Sequence, residues 1–242
     1  MLLEPANRRL LTTTSSMWQR ADPALMQNWR ATAGSDDLTK LAAVASLPTR
    51  PNSGSIWYSV DSGASWVESS ETTSKRWSCI ASSSTFDHLV AGDYHGSLYL
   101  GAYNAVDGLS WTEVVSPGSP GAQYWEAVAS SADGTTIMGF PSYGRIWRST
   151  DTGATWSEIG PPGDRYWYAA DMSSDGMTVV AAVWRENLWA TTDGGLTWSD
   201  ITPSNVPYRG WHAIACSLDC SAVRVAVYSG NLWSGYLSSA GG

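Results

Sequence analysis

Aromatic side chains stand beside hydrogen-bonding groups at regular intervals along the chain, and these pairs are the residues best suited to chemistry. A tyrosine or tryptophan ring can stack on the apolar face of a sugar, and such rings together with arginine form the centre of many protein–protein interfaces. We therefore predict that these residues bind a ligand: Arg76, Tyr94, His95, Tyr124, Tyr143, Arg165, Tyr166, Trp184, Arg185, Arg209 and Tyr228. The alternative is that the same side chains only pack neighbouring loops against one another.

Other kinds of site are disfavoured by composition. The chain has three Cys and three His without a Cys/His cluster, so we predict no metal and no cofactor. Its formal net charge of −8, with no run of Lys and Arg, disfavours nucleic acid as a partner. Cys216 and Cys220 flank a short loop in which a disulfide and two free thiols are equally compatible with the sequence, and Cys79 is expected to be buried.

Membrane and export signals are weak. No apolar run approaches the roughly 20 residues that span a bilayer. Met1–Leu11 carries Glu4, Pro5 and two Arg where a signal peptide needs an unbroken apolar core. We expect no transmembrane segment, and the compartment stays open.

An octapeptide of the form S/T-x-D-x-G-x-S/T-W recurs at Ser59–Trp66, Ser149–Trp156 and Thr191–Trp198, with a looser copy at Asn104–Trp111. We expect each aspartate to accept hydrogen bonds from its own turn, each glycine to adopt a positive φ, and each tryptophan to fold back over the hairpin. One carboxylate per loop is a poor ligand set for calcium, so we predict a structural role for this octapeptide motif. The residues concerned are Asp61, Gly63, Trp66, Asp151, Gly153, Trp156, Asp193, Gly195 and Trp198.

The octapeptide motif belongs to a longer repeat. A tryptophan followed by a short strand of small residues opens five units, at Trp29, Trp77, Trp125, Trp167 and Trp211, with spacings of 48, 48, 42 and 44 residues. This is the size of a four-stranded propeller blade. Each unit contains an inner strand, a hairpin turn, a second strand, a third strand with an aromatic residue, and the motif before a fourth strand. We expect the inner tryptophans to pack one unit against the next.

The fifth unit ends without a fourth strand, and the N-terminus is predicted to supply it. Thr14–Arg20 resembles the fourth-strand segment of the fourth unit, and Trp18 precedes Trp29 by eleven residues, as Trp66 precedes Trp77. Pairing of this segment with the last unit would close a ring. The prediction is an all-β chain in which residues 1–13 are an extension and residues 14–242 form a single five-bladed β-propeller.

The octapeptide motif resembles the Asp-box, or bacterial neuraminidase repeat, and the resemblance covers about residues 14–236. Asp-box propellers include sialidases, sortilin-type receptor domains, some glucan-cleaving glycosidases and photosystem-assembly factors. The resemblance implies that the motif lies opposite the ligand entrance. It also implies that the entrance is formed by the loops before each inner strand and between the second and third strands. It implies no single activity.

Three functions are compatible with these residues. The first is a non-catalytic, lectin-like or receptor-like propeller that binds carbohydrate or protein at its entrance. The alternative is a protein-docking scaffold or accessory subunit of a larger complex. A sialidase-like glycosidase is less favoured, because it needs converging arginines and paired acids. Arg76, Arg165 and Arg209 occupy equivalent loops, but the repeat itself explains that equivalence. The predicted entrance offers only Glu126, Asp164 and Glu186 as acids, and we predict no catalytic residue.

Overall fold

The structure of the chain is a computed structural model that describes residues 27–46, 54–72, 75–115, 118–161, 163–205 and 210–237. Within these ranges the chain forms five antiparallel sheets and one 3-10 turn, Ser70–Thr72. The all-β prediction and the count of five units are thereby confirmed. None of the described segments is a helix long and apolar enough to cross a membrane.

In each sheet the strands lie side by side in chain order. Sheet 1 contains β1 (Trp29–Gly34), β2 (Leu41–Ala45), β3 (Ser55–Ser59) and β4 (Val67–Glu68). Sheet 2 contains β5 (Trp77–Ser82), β6 (His88–Asp93), β7 (Leu98–Asn104) and β8 (Gly108–Glu113). Sheet 3 contains β9 (Trp125–Ser130), β10 (Ile137–Pro141), β11 (Ile146–Ser149) and β12 (Ser157–Ile159). Sheet 4 contains β13 (Trp167–Met172), β14 (Val179–Val183), β15 (Leu188–Thr191) and β16 (Ser199–Asp200). Sheet 5 has three described strands, β17 (Trp211–Cys216), β18 (Ala222–Val227) and β19 (Leu232–Tyr236).

In sheets 3 and 4 the second strand is a short run without charged residues, and it is buried on both faces. β14, with the sequence VVAAV, and β10 are buried along their whole length. Apolar runs of this length between turn residues are typical of fully buried strands. The inner and second strands of neighbouring sheets thus form a continuous packed interior.

A disulfide closes the first hairpin of sheet 5. Cys216, at the end of β17, is bonded to Cys220, which has a φ of 51°. Gly134 and Gly176 occupy the same left-handed position in sheets 3 and 4, where a residue without a side chain is favoured. Of the two alternatives that the sequence allows for Cys216 and Cys220, the structure contains the disulfide. Cys79 is a buried free cysteine, and burial raises the pKa of its thiol to about 12.

An inner tryptophan lies at the centre of each contact between consecutive sheets. Trp77, Trp125, Trp167 and Trp211 are at most 1% exposed. Each indole N–H donates a hydrogen bond of 2.9 to 3.0 Å to a backbone carbonyl that precedes it in the chain. Apolar clusters around these side chains join sheet 1 to sheet 2 and so on up to sheet 5.

The junction between sheet 5 and sheet 1 differs from the other four. Trp29 is 40% exposed and belongs to none of the apolar clusters of the described residues. The prediction that it packs one unit against the next, as its four equivalents do, is therefore wrong for the described residues. No apolar cluster of the described residues joins these two sheets. One central cavity is nevertheless lined by all five inner strands. The predicted closing strand, Thr14–Arg20, lies outside the described residues, and closure of the ring stays a prediction.

Sheet 5 has a groove at the place where other sheets carry a fourth strand. The groove has a volume of about 360 Å³ and runs between β15 and β16 on one side and β19 on the other. Leu188, Ile201 and Trp233 contribute apolar lining. At the equivalent places in sheets 3 and 4, the tryptophans that end the octapeptide motifs pack against the preceding sheet. An equivalent tryptophan, Trp18, is available in the predicted closing strand.

We expect Trp18→Ala to lower the free energy of unfolding by about 3 kcal/mol, because the closing strand would lose the side chain that fills this groove. Met17→Ala is the control, since neighbouring residues of a strand point to opposite faces and Met17 would lie outside the groove. Chemical denaturation of both variants measures the difference. Equal losses, or no loss for Trp18→Ala, would contradict closure by this segment.

Each octapeptide motif closes the hairpin between the third and fourth strands. In Ser149–Trp156, the Asp151 carboxylate accepts hydrogen bonds from the N–H and the hydroxyl of Thr155, at 2.8 and 2.6 Å. Ser149 Oγ accepts from the N–H of Gly153 at 2.8 Å, and the Trp156 indole donates to the Gly153 carbonyl at 3.0 Å. The other two clear copies have the same bonds. Bonds from Ser65 and Thr197 lower the pKa of Asp61 and Asp193 to about 2.

The glycine of the motif also sets the distance between sheets. A Cβ atom on Gly153 would lie 2.6 Å from the side chain of Leu100, in sheet 2. A Cβ atom on Gly195 would lie 2.5 Å from the side chain of Ile159, in sheet 3. The motif is therefore a contact between sheets as well as a turn.

Gly153→Ala should lower the free energy of unfolding by about 3 kcal/mol, from the cost of a left-handed alanine and from overpacking against Leu100. Gly163→Ala is a matched control: φ is 87° there, and a Cβ atom would meet nothing within 4 Å. That variant should lose only the conformational part, about 1 kcal/mol. Equal losses in thermal or urea unfolding would mean that Gly153 serves the turn alone.

Candidate functional site

The predicted ligand loops lie at one end of the sheets, because every sheet is an antiparallel meander. There, Gly144 of a loop between second and third strands exchanges two backbone hydrogen bonds of 3.1 Å with Arg165, which precedes the next inner strand. The octapeptide motifs and the first hairpins lie at the other end, where the Thr152 N–H donates to the Thr135 carbonyl at 3.0 Å. The first of these ends is termed the entrance face.

Aromatic rings on the entrance face meet in groups across neighbouring loops. The ring centroid of Tyr124 lies 5.5 Å from that of Tyr94 and 4.7 Å from that of His95. Tyr143 and Tyr166 lie 4.9 Å apart. Tyr124, Tyr143 and Tyr166 nevertheless remain 49%, 53% and 54% exposed. The rings thus hold one another in place and still present about half of their surface to solvent.

A third group forms a continuous series of four rings. Successive centroid distances are 4.9 Å from Trp184 to Tyr168, 5.4 Å from Tyr168 to His212, and 5.8 Å from His212 to Tyr228. The Arg185 guanidinium lies 5.7 Å from the Trp184 ring centroid. Tyr168 and His212 also line the central cavity, so this series connects the outer loops with the cavity. Six loop aromatic residues of the three groups, of which Tyr94 and Trp184 are half-buried and the others exposed, are termed the aromatic rim: Tyr94, Tyr124, Tyr143, Tyr166, Trp184 and Tyr228.

The three arginines in equivalent loops have different surroundings. Arg165 forms an ion pair with Glu186 at 3.3 Å and lies 4.6 Å from the ring centroid of Trp189. Its side chain is 21% exposed, so its guanidinium is held within the protein. Arg76 lies over the Tyr94 ring at 5.0 Å. Arg209 lies outside the described residues, and the structure does not bring three arginines together in the part that it describes.

Five polar or charged residues, one from each inner strand, line the central cavity of about 380 Å³. They are the residues that directly follow the inner tryptophans, and they are termed the channel ring: Arg30, Ser78, Glu126, Tyr168 and His212. In every sheet the pairing of the inner and second strands skips this residue, which marks a β-bulge. A bulge places an extra residue in one strand and changes the direction of its side chain. Five bulges in register therefore aim five side chains at one cavity.

None of the five members of the channel ring is among the predicted ligand-binding residues, although Glu126 is one of the acids of the predicted entrance. The sequence nevertheless contains a signal for all five. The position after each inner tryptophan carries a different polar residue in every repeat, whereas the next position carries alanine or cysteine. A polar residue that varies between repeats, beside positions that stay small and apolar, indicates a side chain that is not part of the packed interior.

The channel ring combines groups of different charge. Burial raises the pKa of Glu126 above its ordinary value of 4.5, and the Arg30 charge opposes part of this shift. Burial, with a smaller contribution from the Glu126 charge, also raises the pKa of Tyr168. The Ser78 hydroxyl donates to the Trp125 carbonyl at 2.7 Å and so joins sheets 2 and 3. Within the described ranges, no three His, Cys, Asp or Glu side chains lie close enough together to hold a metal ion.

Comparisons with known proteins show the fold of the chain. No protein-family model matches it, and no curated protein sequence matches it. A GH74 enzyme from Niastella koreensis is 19% identical over 86% of this chain and 30% of its own, with a TM-score of 0.62. Sqt1 from Chaetomium thermophilum is 15% identical over 88% of this chain and 58% of its own, with a TM-score of 0.62.

A second structure of Sqt1 is bound to the N-terminus of the ribosomal protein L10. It is 15% identical over 87% of this chain and 61% of its own, with a TM-score of 0.60. The chain thus spans between 30% and 61% of the length of these three structures. The likeness shows a β-propeller-like arrangement of the five sheets.

Glu126→Gln should raise the free energy of unfolding at pH 7, because the ionised carboxylate is desolvated in the cavity. The pKa of Glu126 in the folded protein lies above the ordinary value of 4.5, so ionisation of this group opposes folding at high pH. The effect vanishes at a pH where the carboxyl group is protonated in both the folded and the unfolded protein. The advantage of the variant should therefore disappear below about pH 4. Denaturation at a series of pH values measures the difference in stability between the variant and the wild type. The control is Glu158→Gln, at a glutamate that is exposed. Lower stability of Glu126→Gln at pH 7 would contradict the desolvation of this group.

Proposed function

We propose that this chain is a non-catalytic binding propeller of the Asp-box type, which holds a segment of a protein partner on its entrance face. The sequence and hydrogen bonds of the octapeptide motifs support the Asp-box assignment. The proposal takes residues 14–242 as the propeller and residues 1–13 as an extension. No catalytic residue, metal or cofactor is part of it.

The observation that carries the proposal is the exposure of four tyrosines of the aromatic rim. Tyr124, Tyr143, Tyr166 and Tyr228 are 49% to 56% exposed although each contacts another ring. Tyrosine and tryptophan are enriched among the residues that dominate binding energies at protein interfaces. Because neighbouring rings already hold them, they lose little conformational entropy when a partner binds. The rim is thus prepared for contact before a partner arrives.

The arrangement of the rim favours an extended segment of a partner. Its rings follow the loops of sheets 2, 3, 4 and 5, from Tyr94 to Tyr228, so a bound chain can contact several groups in succession. The structure of Sqt1 with the N-terminus of the ribosomal protein L10 supports this mode, since a neighbour in fold binds the end of another protein. The likeness to GH74 enzymes and the stacking capacity of the rings favour a second candidate, the binding of a carbohydrate chain.

Selection from a phage library of random twelve-residue peptides tests the proposal, with the chain as immobilised target. We expect enriched peptides that bind at least about tenfold more weakly to the double variant Tyr143→Ala/Tyr166→Ala, because two exposed contact rings are lost. Isothermal titration calorimetry with synthetic copies of the peptides measures the change. Tyr143 and Tyr166 are both solvent-exposed, so their replacement should leave the fold intact. Thermal unfolding of the double variant checks this.

The matched control replaces two exposed apolar residues of the opposite end, Val106→Ala/Leu196→Ala, which are 92% and 75% exposed. This control should bind the peptides as the wild type does. Absence of enrichment, or equal binding by the rim variant, would refute the peptide-binding proposal. In that case, the wild type and the same two double variants are tested on a glycan array. The carbohydrate candidate predicts that the wild type and the control bind a glycan and that the rim variant does not.

A further inference from the structure

Two arginines line one cavity beside the central channel. Arg30, of the channel ring, and Arg76, which precedes β5, both contribute to a cavity of about 250 Å³ between sheets 1 and 2. Both residues are exposed. Neither forms an ion pair within 4.0 Å with any described residue. The Tyr94 ring lies 5.0 Å from the Arg76 guanidinium and supports it from one side.

The remaining lining of this cavity is suited to an anion. Asn28, Ser46, Ser78 and Tyr94 are neutral side chains with hydrogen-bonding groups, and Glu126 is the one acid. The cavity therefore has two positive groups against one negative group, in a chain whose formal net charge is −8. Arginine binds carboxylates through paired N–H groups, and such charge-assisted hydrogen bonds are among the strongest in proteins. Two guanidinium groups that have no acidic partner among the described residues are thus available to a ligand.

Glu126 restricts which anion fits. Its carboxyl group makes no hydrogen bond with a described residue and is shared between this cavity and the channel. Two carboxyl groups that face each other can share one proton, because a neighbouring like charge favours protonation of one of them. A phosphate group carries close to two charges at neutral pH, and its repulsion from Glu126 would be greater. The acid thus favours a singly charged anion.

We infer that the cavity between Arg30 and Arg76 receives a carboxylate of the bound partner segment, from an acidic side chain or a C-terminus. This inference rests on the proposed function and specifies the partner as an acidic peptide. Tyr94 belongs to both the cavity and the aromatic rim, so a peptide that places its carboxylate between the arginines continues over Tyr124. The two arginines supply selectivity for charge, and the rim supplies contact area.

The test repeats the peptide selection against Arg30→Gln, Arg76→Gln and Arg145→Gln, with deep sequencing of the selected pools. Arg145 lies in a loop of the same face, so its variant has the same loss of charge outside the cavity. We expect Asp or Glu to be enriched at one position in pools selected by the wild type and by Arg145→Gln. The enrichment should disappear in the pools of the two cavity variants.

Synthetic peptides then identify the anion. Copies of the most enriched peptide carry Glu, Gln, phosphoserine or Lys at the acidic position, and calorimetry gives their affinities. The Glu peptide should bind about tenfold more tightly than the Gln peptide, because a tenfold ratio of affinities corresponds to the free energy of one charge-assisted hydrogen bond. Arg30→Gln or Arg76→Gln should reduce this ratio to about twofold or less, and Arg145→Gln should preserve it. Glu126→Gln should strengthen binding of the Glu and phosphoserine peptides, because the repulsion is removed.

Several results would overturn the inference. Peptides selected without acidic enrichment, but still dependent on Tyr143 and Tyr166, would leave the proposed function intact and refute the carboxylate site. Tighter binding of the phosphoserine peptide than of the Glu peptide by the wild type would assign the cavity to phosphate. Preference for Lys would assign it to a cation through Glu126. Failure of every peptide selection would refute both the inference and the peptide-binding function on which it rests.

Discussion

Four buried tryptophans fix the distance between consecutive sheets, and the remaining structure depends on them. Each ring fills the space between two sheets, and each indole N–H is bonded to a backbone carbonyl earlier in the chain. The apolar body stabilises the contact through burial, and the hydrogen bond sets the orientation of the ring. A large side chain with one polar group can therefore both hold two sheets together and determine how they are rotated. Smaller apolar residues would provide the burial without the orientation.

The same tryptophans determine where the functional groups lie. Each begins an inner strand, and the β-bulge at the next residue turns a polar side chain toward the channel. The loop carbonyls that accept from Trp125 and Trp167 belong to Gly96 and Gly144, which also pair with the loop before the next inner strand. Packing of the interior and placement of the entrance loops are thus achieved by one set of contacts.

Much of the fold can be predicted from the sequence because the repeat is local. Blade-sized spacing locates the inner strands, and alternation with turn residues locates second strands such as Ala222–Val227. The octapeptide motif contains both the donors and the acceptors of its turn, so its geometry depends little on the rest of the chain. One prediction failed because it depends on neighbours in space: Trp29 lacks the cover of its equivalents. The contacts of Arg165 with Glu186, in the loop between β14 and β15, and with Trp189 of β15 are likewise not indicated by the repeat.

The candidate site was less predictable for a related reason. Aromatic residues of the loops are recognisable from residue type, whereas the channel ring depends on a bulge, which shifts the direction of a side chain by backbone pairing alone. Alternation along an ideal strand gives no indication that Arg30, Tyr168 and His212 face one cavity. The disulfide between Cys216 and Cys220 likewise depends on a hairpin geometry that residue spacing does not determine.

The bulge has a consequence for how such a protein can change over time. Because the bulged residue is skipped by strand pairing and is directed into the channel, it lies outside the apolar clusters that pack the sheets together. Arginine, serine, glutamate, tyrosine and histidine occupy the five equivalent positions on nearly the same backbone. Duplication of one ancestral unit would thus yield five positions that diverge independently while the scaffold is retained. Specificity in this architecture can evolve one residue at a time, without a compensating change in the interior.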